Sequence, residues 1–235
     1  MGWTELAWVK DLSFIIEHLY YIASIGLFAS VVIGLLQLKV LKEDIKTKNQ
    51  RAAMEKSLEY LNWFASDFFP YMAKYKERLD EVKETIISKA DPKEQEVLRR
   101  KLYSYPSVEY DVKDKFQKNE RECGEHILIV RCQRMARVGN VLNQLEYFAA
   151  AMTCGLANEE LAYNPLSEAY CDVVEETYYA LCIFRNANPK LYSNVVKLYH
   201  TWKPRIHKEE LEGKHRELSD KLSQIPDTKI KTIGL

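Results

Sequence analysis

Leu19–Leu38 reads LYYIASIGLFASVVIGLLQL, twenty consecutive positions without a charged side chain. A helix of that length covers about 30 Å, the thickness of a bilayer's hydrocarbon core, and it satisfies its own backbone hydrogen bonds where no water can. The sequence therefore predicts a transmembrane helix over 19–38. Its flanks are unequal: Lys39, Lys42, Lys46, Lys48 and Arg51 follow it, and Lys10 is the one basic residue before it. Basic residues accumulate on the cytoplasmic side, so this asymmetry predicts an N-terminus outside and the rest of the chain in the cytoplasm. Trp3, Trp8, Tyr20 and Tyr21 form an outer aromatic belt, with Glu17 and His18 at the water boundary. A cleaved signal peptide would place a basic head before a shorter apolar run and a small-residue cleavage site after it; here the flanks are reversed.

The rest of the chain is balanced in charge, with 34 basic and 34 acidic residues. No global field attracts nucleic acid or anionic lipid, so any such binding needs a local patch. Cys123, Cys132, Cys154, Cys171 and Cys182 are odd in number and show no C-x-x-C spacing, which argues against a disulfide framework or a zinc ribbon and fits reduced, buried thiols in the cytoplasm. No Gly/Ser linker or repeat divides the remainder, and no strand pattern appears, so the expected fold is all-α.

The expected order begins with an interfacial segment (1–18), the span (19–38) and a juxtamembrane stalk helix (39–90) kinked at Pro70. A helical domain (91–204) and a charged, partly disordered tail (205–235) follow. Within the domain, Asp91-Pro92 predicts a helix over 93–103, broken by Tyr105-Pro106. A longer helix is expected from near Val112, with a central helix over 118–154 whose apolar stripe is Ile127, Val130, Val138, Val141 and Leu145, stopped by Gly155. Asn164-Pro165 and Asn188-Pro189 are read as openings of helices over 166–184 and 190–202, the second ended by Pro204.

Four features bear on function. Gly26, Ser30 and Gly34 recur every four residues on one face of the span, where small side chains let helices approach closely, so they are the expected oligomer interface. Arg121 and His126 stand five positions apart; in a helical nuclease such a pair would hold phosphate and move protons. Arg134 falls within the apolar stripe, where a guanidinium needs either an ion pair with Asp172, Glu175 or Glu176, or an anionic ligand such as phosphate. Asn143 and Glu146, one turn apart, are suited to bonding a loop, capping a neighbouring helix or meeting a partner. No H-E-x-x-H, Walker A, G-x-S-x-G or dinucleotide motif is present, and no metal or cofactor is expected.

The run Leu142-Asn143-x-x-Glu146, the turn Gly155 to Glu160, Phe184-Arg185-Asn186 and the final NPKLYSNVVKLYHTW resemble domain-of-unknown-function family 4760. That resemblance implies a bacterial protein with one N-terminal span and a helical cytoplasmic domain, placed at the inner membrane. More distantly, the layout resembles the membrane accessory protein of type VI CRISPR systems, which carries a HEPN-like domain. This would make Arg121 and His126 the carried-over positions and the protein an oligomeric antiviral factor. The expected function is thus a membrane-anchored, self-associating accessory or effector that perturbs the membrane. Its rivals are a tethered ribonuclease acting on RNA and a scaffold recruiting a cytoplasmic protein partner.

Overall fold

Every regular element among the described residues of the computed structural model is helical. These residues are 7–104, 111 and 113–223, with 7–11 as backbone alone. The α-helices are α1 (Ala7–Trp63), α2 (Phe69–Ser88), α3 (Pro92–Tyr103), α4 (Ile127–Met135), α5 (Val138–Thr153), α6 (Glu159–Glu176), α7 (Tyr178–Ala187) and α8 (Ser193–Ser223). A π-turn, Phe64–Phe68, joins α1 to α2, and a 3₁₀ turn, Gly124–His126, precedes α4. Tyr105-Pro106, Val112 and residues 224–235 lie outside the described residues.

The chain divides into two compact units, Met1–Ala52 and Ala53–Leu235. The first is helical, long and apolar enough to be a candidate membrane span. Gly34 aside, all its residues from 12 to 52 are exposed.

The second unit begins inside the segment expected to be a stalk. Phe64, Phe68, Met72, Tyr75, Leu79 and Ile87 are buried in the core, so the stalk expected over 39–90 is corrected: its residues from Ala53 onward belong to the second unit. The distortion expected at Pro70 lies just before it, in the π-turn. Proline donates no N–H and its ring crowds the carbonyl four residues back, here that of Ser66, so the turn widens.

The centre of this unit is α8 packed against α5 and α6. Phe148 from α5, Tyr163 and Tyr170 from α6 and Trp202 from α8 are buried there. Phe148, Tyr163 and Tyr170 meet the Trp202 ring at centroid distances of 6.0, 5.9 and 5.2 Å. Offset and edge-on contacts of this kind add to the large area each ring removes from water. On the other side α2 packs on α3 and α4, and α4 on α5 and α7.

Three expected helices are corrected. The central helix over 118–154 is interrupted: residues 113–123 are irregular, and Arg137 takes a left-handed φ of 67° between α4 and α5. The helix expected over 166–184 starts earlier and breaks in the middle. Asn158 caps α6 by accepting the Leu161 N–H at 3.2 Å, and Thr177 separates α6 from α7. The last helix begins at Ser193 and passes through Pro204, just as α6 passes through Pro165. A proline inside a helix costs about 3 kcal/mol, and burial on both sides of each one, of Tyr163 with Tyr170 and of Trp202 with Ile206, offsets it. Residues 205–223 therefore extend α8 instead of opening a disordered tail.

The start of α8 is fixed from a distance. The Glu146 carboxylate, on α5, accepts the Asn194 and Val195 backbone N–H groups at 3.3 and 2.9 Å and the Asn194 side-chain amide at 2.8 Å. These are among the amides a helix leaves unpaired at its first turn, where a negative charge also meets the helix dipole favourably. Glu146→Ala leaves half-buried donors without an acceptor and is expected to lower unfolding stability by about 1–3 kcal/mol. Urea unfolding of the full-length chain in a maltoside detergent, followed by tryptophan fluorescence, checks this.

Candidate functional site

The residues expected to carry function fall in separate places. In the first unit, the Ser30 hydroxyl donates to the Gly26 carbonyl at 2.8 Å, and a β-carbon added at Gly26 or Gly34 would meet nothing within 4 Å. The small-residue face is therefore shallow and unfilled.

His126 sits at the entry to α4, its ring stacked on Tyr179 with centroids 4.3 Å apart and planes at 24°. It lines a cavity of about 230 Å³ together with Arg100, Lys101, Ser104 and Glu125. Arg121 is exposed and lies outside that lining. Its N–H and that of Glu122 are held by the Asn119 side-chain oxygen at 2.9 and 3.0 Å, which forms the turn before the 3₁₀ segment. The cations that line this cavity with His126 thus come from α3.

Arg134 is exposed, and the expectation that it lies buried is corrected. The wheel that buried it assumed one helix from 127 to 145, and the left-handed turn at Arg137 breaks the phase between the two halves. The buried polar side chain of α4 is the neighbouring Gln133, 2% exposed, whose amide donates to the Glu176 carbonyl at 2.8 Å. Two of the three carboxylates expected as partners of Arg134, Glu175 and Glu176, serve other cations. Glu176 pairs with Lys76 at 3.0 Å; Glu175 pairs with Lys203 at 2.6 Å and accepts the Tyr199 hydroxyl at 2.8 Å.

The recognisable motifs resolve into joints between helices. Asn143 accepts the Tyr192 hydroxyl at 3.2 Å beside the Glu146 cap. In the turn after Gly155, Asn158 is tied to the second unit's first helical turn, where the Ser57 hydroxyl donates to its carbonyl at 2.9 Å and accepts its N–H at 2.6 Å. Glu159 accepts the Trp202 indole N–H, and Glu160 accepts two N–H groups of Arg205, at 2.6 and 3.1 Å. Arg185, pinned by burial, donates to the Leu191 carbonyl and shapes the loop before α8.

Thiol chemistry has little footing here. Burial pushes the Cys171 and Cys182 thiols up to about 12 and also raises Cys123 and Cys132, so these four stay protonated near neutrality. Cys154 is the exposed one. Among the described residues no group of three or more His, Cys, Asp or Glu is placed to hold a metal.

A further recess is not legible in the sequence. A groove of about 750 Å³ runs between the segment that passes from α1 through the π-turn into α2, and α5. The first wall supplies Lys56, Glu59, Tyr60, Trp63, Asp67 and Tyr71; the second supplies Gln144, Tyr147 and Phe148. The available signal was the spacing of Tyr60, Trp63, Asp67 and Tyr71, which share a face beside the apolar stripe of Phe64, Phe68 and Met72.

The contrast within α4 is directly testable. Arg134→Ala is expected to change unfolding stability by no more than about 0.5 kcal/mol, as an exposed substitution does. Gln133→Ala, which strands the Glu176 carbonyl and opens a void, is expected to cost about 1–3 kcal/mol in the same urea unfolding measurement.

No curated protein and no solved structure matches the chain. A family model described as a domain of unknown function, DUF4760, matches residues 24–202, from within the apolar helix to the core tryptophan of α8. That match spans well over half of the sequence and includes the capping glutamate, the Asn158 turn and the aromatic groove, and the chain belongs to the DUF4760 family.

Proposed function

We propose that this protein is a membrane-anchored, self-associating accessory protein whose helical domain is held at the cytoplasmic face of a bacterial inner membrane. One observation carries the reading: the apolar side chains of the first unit are uncovered all round the helix. Ile22, Ile25, Leu27, Phe28 and Leu35 are 67, 69, 69, 70 and 62% exposed. At about 100° per residue these positions spread over more than half of the helix's circumference, so no single protein surface covers them, whereas hydrocarbon does.

The basic run from Lys39 to Arg51 supports the orientation, because cationic residues near a span are retained on the cytoplasmic side. The open face of Gly26, Ser30 and Gly34 supports self-association, since helices in lipid associate where small residues let backbones meet. The layout of one span and one helical domain is what suggests a phage-defence setting, as in the accessory protein of type VI CRISPR systems. The separation of Arg121 from the His126 cavity weighs against the ribonuclease rival.

Light scattering with the detergent contribution subtracted tests the assembly on the full-length chain in maltoside. A discrete oligomer is expected, falling to monomer in Gly26→Ile and Gly34→Ile with helical content unchanged. A monomeric wild type, or an oligomer of the same mass in both variants, would remove the small-residue interface from the proposal.

A further inference from the structure

The groove between α1–α2 and α5 has the composition of a cation site. Its floor is set by rings that hold one another: Tyr60 meets Phe148 edge-on at 5.7 Å, and Trp63 packs on Phe68 at 5.4 Å and edge-on against Phe64 at 5.2 Å. Tyr71 lies further along the same wall. Tyr147 stands at the rim, 76% exposed, an unusual position for a large aromatic that nothing in the fold requires. A volume of about 750 Å³ accommodates a small molecule rather than a protein element.

Charge narrows the ligand further. Lys56 is hydrogen-bonded to Glu59 and its ammonium lies 5.6 Å from the centre of the Tyr60 ring, so this wall already holds a cation against an aromatic face. The pair is neutral. That leaves Asp67, which accepts the Ser66 hydroxyl at 2.8 Å, as the lining carboxylate that pairs with no cationic side chain among the described residues. An anion would meet this charge and the negative faces of the rings. A neutral apolar ligand would cover Asp67 without compensating it. A small inorganic cation or a primary ammonium would give up strong hydration to rings that offer no hydrogen bonds in return. An alkylated ammonium carries diffuse charge, little hydration and an apolar surface, which is what aromatic faces beside one carboxylate recognise.

We propose that the groove binds a small soluble molecule bearing a quaternary or tertiary alkylammonium group, seated against Tyr60, Trp63 and Tyr147 with Asp67 as counter-charge. The assignment is independent of the membrane reading.

The test uses the full-length chain in maltoside, labelled with 5-fluorotryptophan, with the Trp63 fluorine resonance assigned through Trp63→Phe. Choline is the probe, and 3,3-dimethylbutan-1-ol, the same shape without charge, is the control. Choline is expected to shift the Trp63 resonance saturably and to bind at least about tenfold more tightly than the alcohol. Tyr147→Ala and Asp67→Asn, both at exposed positions that leave folding intact, are each expected to weaken choline about threefold to tenfold. Equal affinity for the alcohol would reduce the groove to an apolar surface, and an unmoved Trp63 resonance or wild-type affinity in both variants would overturn the site. A Trp63 response to phosphatidylcholine nanodiscs with none to choline would overturn the soluble source in favour of a lipid headgroup.

Discussion

An apolar helix that no other part of the described chain covers is the constraint from which the rest follows. Burying a large aliphatic side chain contributes about 1.5–3 kcal/mol, so a row of uncovered Ile, Leu, Val and Phe between residues 19 and 38 represents tens of kcal/mol of unfavourable hydration in water. Folding the second unit does nothing to relieve this, because residues 12–52, Gly34 aside, stay exposed while the aromatic core forms from Tyr60 onward. The two units differ in kind: one keeps its apolar surface outside, the other turns it inward.

Within the second unit, carboxylates decide how the helices meet. Glu146 caps α8, Glu159 holds the indole of Trp202, and Glu175 receives both Lys203 and Tyr199. These bonds are half-buried and cost stability when broken, because their donors have nowhere else to turn. The Glu160–Arg205 pair is of another kind. Arg205 lowers the Glu160 carboxyl below its usual range, yet the pair, which joins α8 to α6, lies on the exposed surface, where water screens it. The Arg205 guanidinium also stacks over the Tyr163 ring, 3.6 Å from its centre, a cation–π contact.

Much of the architecture is local in origin and so legible in the sequence. The apolar run, the all-helical pattern, the helix that opens at Asp91-Pro92 and the stop at Gly155, with its φ of +71°, depend on neighbours in the chain. What escaped depends on distant residues. Pro165 and Pro204 look like boundaries in the sequence, but burial on either side carries both helices through them. Arg137 has no side chain that announces a left-handed turn, and with it went the phase that placed Arg134 inside and Gln133 out of view. Glu146 was visible as a capping candidate, though not the helix it caps. The aromatic groove was hidden for a further reason: Tyr60, Trp63 and Tyr71 look like more of the core until α5 arrives to face them.

Anchorage with the domain inside the cell is the central claim, and the chain carries its own reporter for it. Cys154, just past the end of α5, is exposed, whereas Cys123, Cys132, Cys171 and Cys182 are buried. A maleimide that does not cross membranes, applied to bacterial cells making the full-length protein and to inverted inner-membrane vesicles from them, reads the side on which Cys154 lies. The account predicts membrane-bound protein labelled in the vesicles and untouched in intact cells; labelling from outside, or recovery of the protein in the soluble fraction, would contradict it.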